Sequence, residues 1–189
     1  MSGADVAADA VLTADVGVVG AGPGGLAAAV RLAAAGLAVV LLDEGQRPGG
    51  QIFRQPPPGA RGSAGGRARP GHDRGHGLRS ACAASGGTCL AGAAVWDAEP
   101  GRLWFEHDGV SRLLRCERIV VATGAADRCI PFPGWTLPGV VTAGALQVMV
   151  RGFGVAPGRR ALVAGSGPLL LPTVTALTAA DKALRASIA

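Results

Sequence analysis

A run of six residues near the start of the chain has the composition and spacing of a phosphate-binding loop. It reads Gly20-Ala21-Gly22-Pro23-Gly24-Gly25, with glycines in the first, third and sixth positions. The first glycine permits a tight turn, the second lets the backbone approach a pyrophosphate, and the third lets a helix pack closely on a strand. The start of that helix offers unpaired N–H groups and the positive end of its dipole to phosphate oxygens. The loop therefore predicts a dinucleotide site.

An acidic side chain follows at the distance that such a site requires, about 20 residues beyond the loop. Asp43 is in this position, and its carboxylate would accept hydrogen bonds from the hydroxyls of an adenosine ribose. Glu44, the next residue, competes for the same role. The alternative, in which the glycines serve only a tight turn, does not account for an acid at this spacing.

The elements around the loop are those needed to hold it. Asp15–Val19 reads as a strand, Leu26–Ala35 as an Ala-rich helix stopped by Gly36, and Ala38–Leu42 as a second strand. Both strands are apolar along their whole length, as in a parallel sheet with helices on both faces. The chain is therefore predicted to have an α/β, Rossmann-like fold.

The sequence of the middle of the chain predicts one more helix and several more strands. A short helix is expected at Leu78–Ala84, and a small antiparallel insertion is expected from strands at Ala93–Trp96, Leu103–His107 and Arg112–Cys116. A further apolar strand is predicted at Ile119–Ala122.

A second glycine-rich turn comes late in the sequence. Gly165-Ser166-Gly167-Pro168-Leu169-Leu170 follows the apolar run Ala161–Ala164 and predicts the start of a second dinucleotide-binding unit. Leu170 replaces the third glycine, and Pro172 falls early in the expected helix. No strand-like run is evident from Asp181 to Ala189, so this unit is predicted to be incomplete.

Composition narrows the range of partners. The net charge of +5 depends on the Gly- and Pro-rich stretch Arg61–Arg79, which lacks interleaved aromatic residues, so a solvated loop is favoured over a nucleic-acid surface. Met1–Thr13 has neither the basic start nor the apolar run of a signal peptide, and no transmembrane segment is predicted. A cytoplasmic location is expected.

The sequence identifies no catalytic acid, base or nucleophile. Its four cysteines, Cys82, Cys89, Cys116 and Cys129, show no CxxC spacing, which argues against a redox dithiol or a zinc site; no metal is predicted. His72, His76 and His107 are interpreted as surface residues.

Two further segments resemble a known superfamily. Pro48-Gly49-Gly50-Gln51-Ile52 and Ile119-Val120-Val121-Ala122-Thr123-Gly124-Ala125 are similar to the flavin-lining segments of pyridine nucleotide-disulfide oxidoreductases. The resemblance implies FAD as the cofactor and allows NAD(P) at the second glycine-rich turn. The cofactor-binding residues it implies, together with those of the two glycine loops, are Gly20, Gly22, Pro23, Gly24, Gly25, Asp43, Glu44, Gly50, Gln51, Ala122, Thr123, Gly124, Gly165 and Gly167.

A finer resemblance lies in Leu42-Asp43-Glu44, Arg47–Arg54, Ile130–Val140 and Thr142–Ala145. These segments are similar to the FAD-binding subunits of opine oxidases, hydrogen cyanide synthase and D-hydroxyproline or proline dehydrogenases. The resemblance implies oxidation of an amino acid, opine or related amine by hydride transfer to flavin. It also implies a small-molecule substrate and the partner subunits of a hetero-oligomer.

The domain prediction follows from these segments. Residues 1–14 are expected to be disordered, 15–135 to form the FAD-binding domain with a flexible loop at 54–77, and 136–189 to hold a crossover and the incomplete NAD(P)-binding-like unit. Two functions are compatible with this organisation: a subunit or fragment of an FAD-dependent oxidoreductase, and a truncated, non-catalytic nucleotide-binding module.

Overall fold

The computed structural model describes residues 11–55, 72–153, 155, 158–180 and 185–188. These residues form two compact units. The first holds 11–53 and 72–124, and the second holds 54, 55 and the described residues from 125 onward. The boundary after Gly124 precedes the predicted one at residue 135.

The first unit is built on a six-stranded mixed sheet. Its strands are β1 (Val11–Val19), β2 (Val39–Asp43), β3 (Thr88–Ala91), β4 (Ala94–Glu99), β5 (Arg102–His107) and β6 (Val110–Val121), arranged in the order β3-β2-β1-β6-β5-β4. Strand β1 pairs in parallel with β2 and with β6, and β2 pairs in parallel with β3. Strand β5 pairs in antiparallel with β4 and β6, so that β4, β5 and β6 form a meander. The predicted α/β class and the antiparallel insertion are confirmed.

Apolar side chains alternate between the two faces of this sheet, as the period of a strand requires. Helices α1 (Pro23–Ala34) and α2 (His72–Ala84) contribute Leu26, Ala29 and Cys82 to the cluster on one face. On the other face, β5 contributes Leu103 and Phe105, both with no exposed surface. A Cβ at Gly17 of β1 would lie 2.9 Å from Leu103 Cδ1, so the glycine makes room for this packing.

Several predicted boundaries differ from the structure. Strand β6 is continuous, where two strands separated at Glu117 and Arg118 were expected, and β3 was not predicted at all. The length of β6 allows one strand to pair with both β1 and β5.

Two segments predicted to be irregular are in part regular. Helix α2 begins at His72, so the predicted loop at 54–77 does not extend to its stated end, and residues 56–71 lie outside the described residues. Strand β1 begins at Val11, so the disorder predicted through residue 14 is wrong for 11–14. Residues 1–10 are not described.

The second unit contains a second β-α-β element. Helix α3 (Ala143–Gln147) continues into a π-helical segment, Val148–Phe153, and is followed by β7 (Arg160–Val163), α4 (Leu170–Ala180) and β8 (Arg185–Ile188). β7 and β8 pair in parallel. The prediction that no strand lies between Asp181 and Ala189 is therefore wrong, because pairing with β7 organises a segment too short and too polar to be recognised alone.

No helix among the described residues is both long enough and apolar enough to span a lipid bilayer.

Candidate nucleotide-binding site

The glycine-rich loop joins β1 to α1, and two of its glycines are required by the surrounding backbone. Gly20 has a φ of +99°, and a Cβ there would overlap the carbonyl oxygen of Ala122. A Cβ at Gly25 would overlap the carbonyl oxygen of Gly20. The tight turn and the close helix–strand packing expected from the glycine spacing are both present.

Gly22 differs from these two glycines. A Cβ at Gly22 would meet no atom within 4 Å, and the same holds for Gly24. Packing within the protein therefore does not explain the absence of side chains at these positions. The open space on this side of the loop fits a ligand that approaches the backbone closely.

The start of α1 suits a negatively charged group. Gly22 is the N-cap residue, Pro23 occupies the first turn, no side chain caps the helix and no acidic residue lies in the first turn. The first N–H groups of a helix have no partner within it and carry partial positive charge. Phosphate oxygens would satisfy them, so the residues present fit the pyrophosphate of a dinucleotide.

Asp43 lies at the end of β2 beside this loop. Its Oδ2 accepts a hydrogen bond from the N–H of Ala21 at 2.5 Å, and its Oδ1 accepts one from the N–H of Gly45 at 2.8 Å. The side chain of Glu44 is exposed. Asp43 is thus in contact with the loop and already has bonds within the protein, whereas Glu44 adjoins it in sequence.

The segment after β2 folds back onto the loop. The N–H of Gly49 donates to the carbonyl oxygen of Ala21 at 2.7 Å. Gly50 has a φ of +57°, and a Cβ there would lie 2.8 Å from the Cα of Gly22. Gly50 consequently lies against the loop, and Gln51, the next residue, is exposed.

The end of β6 completes this edge of the sheet. The N–H of Ala122 donates to the carbonyl oxygen of Val19 at 2.8 Å. Thr123 and Gly124 are exposed, and Gly124 has a φ of +74°. The predicted residues at 20–25, 43–44, 50–51 and 122–124 therefore meet at the carboxyl ends of parallel strands, where dinucleotides bind in open α/β sheets.

Gly165 and Gly167 belong to the second unit. Gly165 has a φ of +151°, and a Cβ there would lie 3.5 Å from Leu170 Cδ2, whereas one at Gly167 would meet nothing within 4 Å. The side chain of Leu170, which stands where a third glycine would, therefore lies close to Gly165. The turn is exposed, like the residues that follow it up to Leu169.

The sequence does not predict the contacts that Ala21 and Gly45 make with Asp43. Each donates its backbone N–H to Asp43. Backbone donors leave no signature in residue type, although Gly45 directly after two acids was a signal for a turn.

The Thr142–Ala145 segment, noted for its resemblance to known subunits, begins α3. Thr142 Oγ1 accepts a hydrogen bond from the N–H of Ala145 at 3.2 Å, and Asp127 Oδ2 accepts one from the N–H of Gly144 at 2.6 Å. These contacts cap the helix and join it to the segment that follows β6. They indicate a structural role for the motif.

The cysteines do not form a reactive pair. All four are free thiols. Burial raises the pKa of Cys82, and burial together with the nearby Cys82 and Asp43 raises the pKa of Cys89 to about 11. Burial also raises the pKa of Cys116, although a hydrogen bond from the Gly17 backbone opposes the shift. The thiolate is the reactive form, so these three thiols are poor nucleophiles.

Similar proteins include subunits named for an opine oxidase and for hydrogen cyanide synthase. The chain is 36% identical to an opine oxidase subunit of Agrobacterium tumefaciens over 92% of its own length and 38% of the relative's. It is 38% identical to hydrogen cyanide synthase subunit HcnB of Pseudomonas aeruginosa, over 81% of this chain and 33% of that protein. The chain thus spans about a third of the length of these relatives.

A solved structure shows the same fold. The L-proline dehydrogenase of P. horikoshii superposes with a TM-score of 0.75 at 21% identity, over 94% of this chain and 35% of that chain. Residues 14–182 match the sequence pattern of a single family. The chain belongs to the pyridine nucleotide-disulphide oxidoreductase family.

Proposed function

We propose that this chain forms the FAD-binding part of an oxidoreductase. The open space at Gly22, next to an uncapped helix start and bounded by Gly50, is the observation that carries the proposal. FAD has a pyrophosphate and an adenosine ribose, which match the loop and its neighbouring acids. Membership of the pyridine nucleotide-disulphide oxidoreductase family supports FAD as the dinucleotide.

Each segment at the site has its own part in binding. The N–H groups at the start of α1 would bind the pyrophosphate, with Gly20, Gly22, Pro23, Gly24 and Gly25 shaping the loop. Asp43 or Glu44 would accept hydrogen bonds from the ribose. Gly50 and Gln51 from one side, and Ala122, Thr123 and Gly124 from the other, would line the remainder of the cofactor. Bound FAD supplies a ring that accepts a hydride, and the protein orients it.

The proposed substrate is an amino acid, an opine or a related amine. The support is the identity with proteins named as opine oxidase subunits and the fold shared with a proline dehydrogenase. Because several relatives are named as subunits, partner chains are also proposed. A second nucleotide, NAD(P), is proposed only for the Gly165–Gly167 turn, and a cytoplasmic location stays a prediction.

Reduction of the bound cofactor tests the proposed activity. The FAD-loaded chain would be mixed anaerobically with amino acids and opines, alone and with candidate partner subunits, while flavin absorbance is followed. Loss of the oxidised flavin bands with one of these compounds is expected. FAD that stays bound and oxidised under every condition would instead favour the alternative, a nucleotide-binding module without catalysis.

A further inference from the structure

The carboxylate of Asp43 is held by two donors of the protein itself. Oδ2 accepts from the N–H of Ala21 and Oδ1 from the N–H of Gly45, at 2.5 and 2.8 Å. Ala21 has no exposed surface, so water has no ready access to replace the carboxylate as acceptor for its N–H. Hydrogen bonds to a charged acceptor are strong, and a buried donor left without an acceptor is costly.

The absence of a side chain at Gly45 leaves room for the Asp43 carboxylate. A Cβ at Gly45 would lie 2.7 Å from Asp43 Oδ1, too close for an undisturbed contact. The φ of Gly45 is outside the left-handed region, so its backbone conformation alone does not require glycine. The missing side chain at residue 45 is therefore explained by the position of the Asp43 carboxylate.

Ala21 connects three segments of the site. It lies between Gly20 and Gly22, its N–H donates to Asp43, and its carbonyl oxygen accepts from the N–H of Gly49 at 2.7 Å. A shift of Ala21 would move Gly22, where the open space for the pyrophosphate lies.

We propose that Asp43 is a positioning residue that holds the glycine-rich loop in its phosphate-binding shape before a nucleotide binds. This inference rests on the proposed function. An ionised carboxylate has about four acceptor positions, and the two backbone N–H groups occupy two of them. The same side chain can therefore hold the loop and also accept from a ribose. Its loss weakens binding even of a nucleotide that lacks ribose hydroxyls.

The test compares Asp43→Asn with Glu44→Gln, a matched change of acid to amide at the exposed neighbour. Amide hydrogen exchange at Ala21 is measured in the nucleotide-free chain, together with binding of ADP and of an ADP analogue without ribose hydroxyls. The two N–H groups bond to different oxygens of Asp43, and asparagine replaces one of these oxygens with an NH2 group that cannot accept, so one of the two N–H groups loses its partner. We expect Ala21 exchange to accelerate roughly ten- to hundredfold in Asp43→Asn, and both ligands to bind more weakly by similar factors. In Glu44→Gln, exchange at Ala21 is expected to stay unchanged.

A second variant displaces the Asp43 carboxylate without removing its charge. Gly45→Ala keeps both acids but pushes a methyl group toward Asp43 Oδ1, so it should also accelerate exchange at Ala21. Exchange at Leu41, 1% exposed within β2, reports any loosening of the whole sheet.

Unchanged amide exchange at Ala21 in both Asp43→Asn and Gly45→Ala would overturn the proposal. The proposal would also be overturned if Asp43→Asn weakened the binding of ADP but not that of the analogue, since Asp43 would then act on the ribose alone. If the unaltered chain binds neither ligand, the proposed function fails, while exchange at Ala21 still decides the positioning role.

Discussion

Neighbouring glycines in the loop have different structural roles. A Cβ at Gly25 would overlap the carbonyl oxygen of Gly20, whereas one at Gly24 would meet nothing within 4 Å. We expect Gly25→Ala to lower the free energy of unfolding by about 1–3 kcal/mol, because the helix must move away from the strand. Gly24→Ala is the matched control, and its stability should be unchanged or raised by up to about 1 kcal/mol through improved helix propensity.

Urea unfolding of the two glycine variants measures this difference. Equal stability of Gly25→Ala and the unaltered chain would contradict the close packing of α1 on β1.

The raised thiol pKa values predict a loss of stability in alkaline solution. The pKa of Cys89 is raised from 9.0 to about 11, so above pH 9 the unfolded chain releases a proton that the folded chain retains. The free energy of unfolding should therefore fall as the pH rises from 9 toward 11. The sequence has no tyrosine and its sole lysine is Lys182, so few other groups titrate in this range.

Denaturant unfolding at a series of pH values, with Cys89→Ala for comparison, tests this account. The variant should lose less stability over the same range. An identical pH profile for the two proteins would show that Cys89 does not contribute.

At the scale of elements, β5 covers one face of the parallel strands. Leu103 has no exposed surface and packs over Gly17, whereas Trp96 on the adjacent strand is 58% exposed. Leu103→Ala is expected to lower the free energy of unfolding by about 2–5 kcal/mol, as for other fully buried leucines. Trp96→Ala, the control on the same antiparallel meander, should cost much less. Similar losses in the two variants would contradict the assigned packing of β5.

The elements predicted correctly are those with strong local patterns. Composition and periodicity predict the apolar strands β1 and β2 and the Ala-rich helix α1. The sequence predicts two strands in place of β6 because the charged pair Glu117 and Arg118 resembles a break. In the structure their side chains, 72% and 70% exposed, form an ion pair at 3.7 Å while the backbone continues the strand. Strands β3 and β8 have four residues each and depend on parallel pairing with distant segments.

In the molecule as a whole, the sequence predicts a nucleotide site from segments that the structure brings to one edge of the sheet, but it does not predict how these segments are joined. The spacing of the glycines and the position of Asp43 follow from local chemistry. The bonds between Ala21 and Asp43, and between Gly49 and Ala21, link residues far apart in sequence through backbone groups. Such contacts depend on the final arrangement of the strands, which residue types alone do not specify.

Retention of FAD by the Gly22→Val variant tests whether the space beside Gly22 holds the pyrophosphate. Purified proteins would be incubated with FAD and desalted, and the visible flavin absorbance would be compared with that of the unaltered chain and of Gly77→Ala. Gly77 is the control because a Cβ there also meets nothing within 4 Å, and it is an exposed residue of α2 rather than of the loop. All three proteins should unfold at similar denaturant concentrations.

We expect the unaltered chain and Gly77→Ala to retain FAD and Gly22→Val to lose it, because the valine side chain occupies the space assigned to the pyrophosphate. A folded, unaltered chain that retains no FAD, or a Gly22→Val variant that retains as much as the unaltered chain, would contradict the assignment of the site.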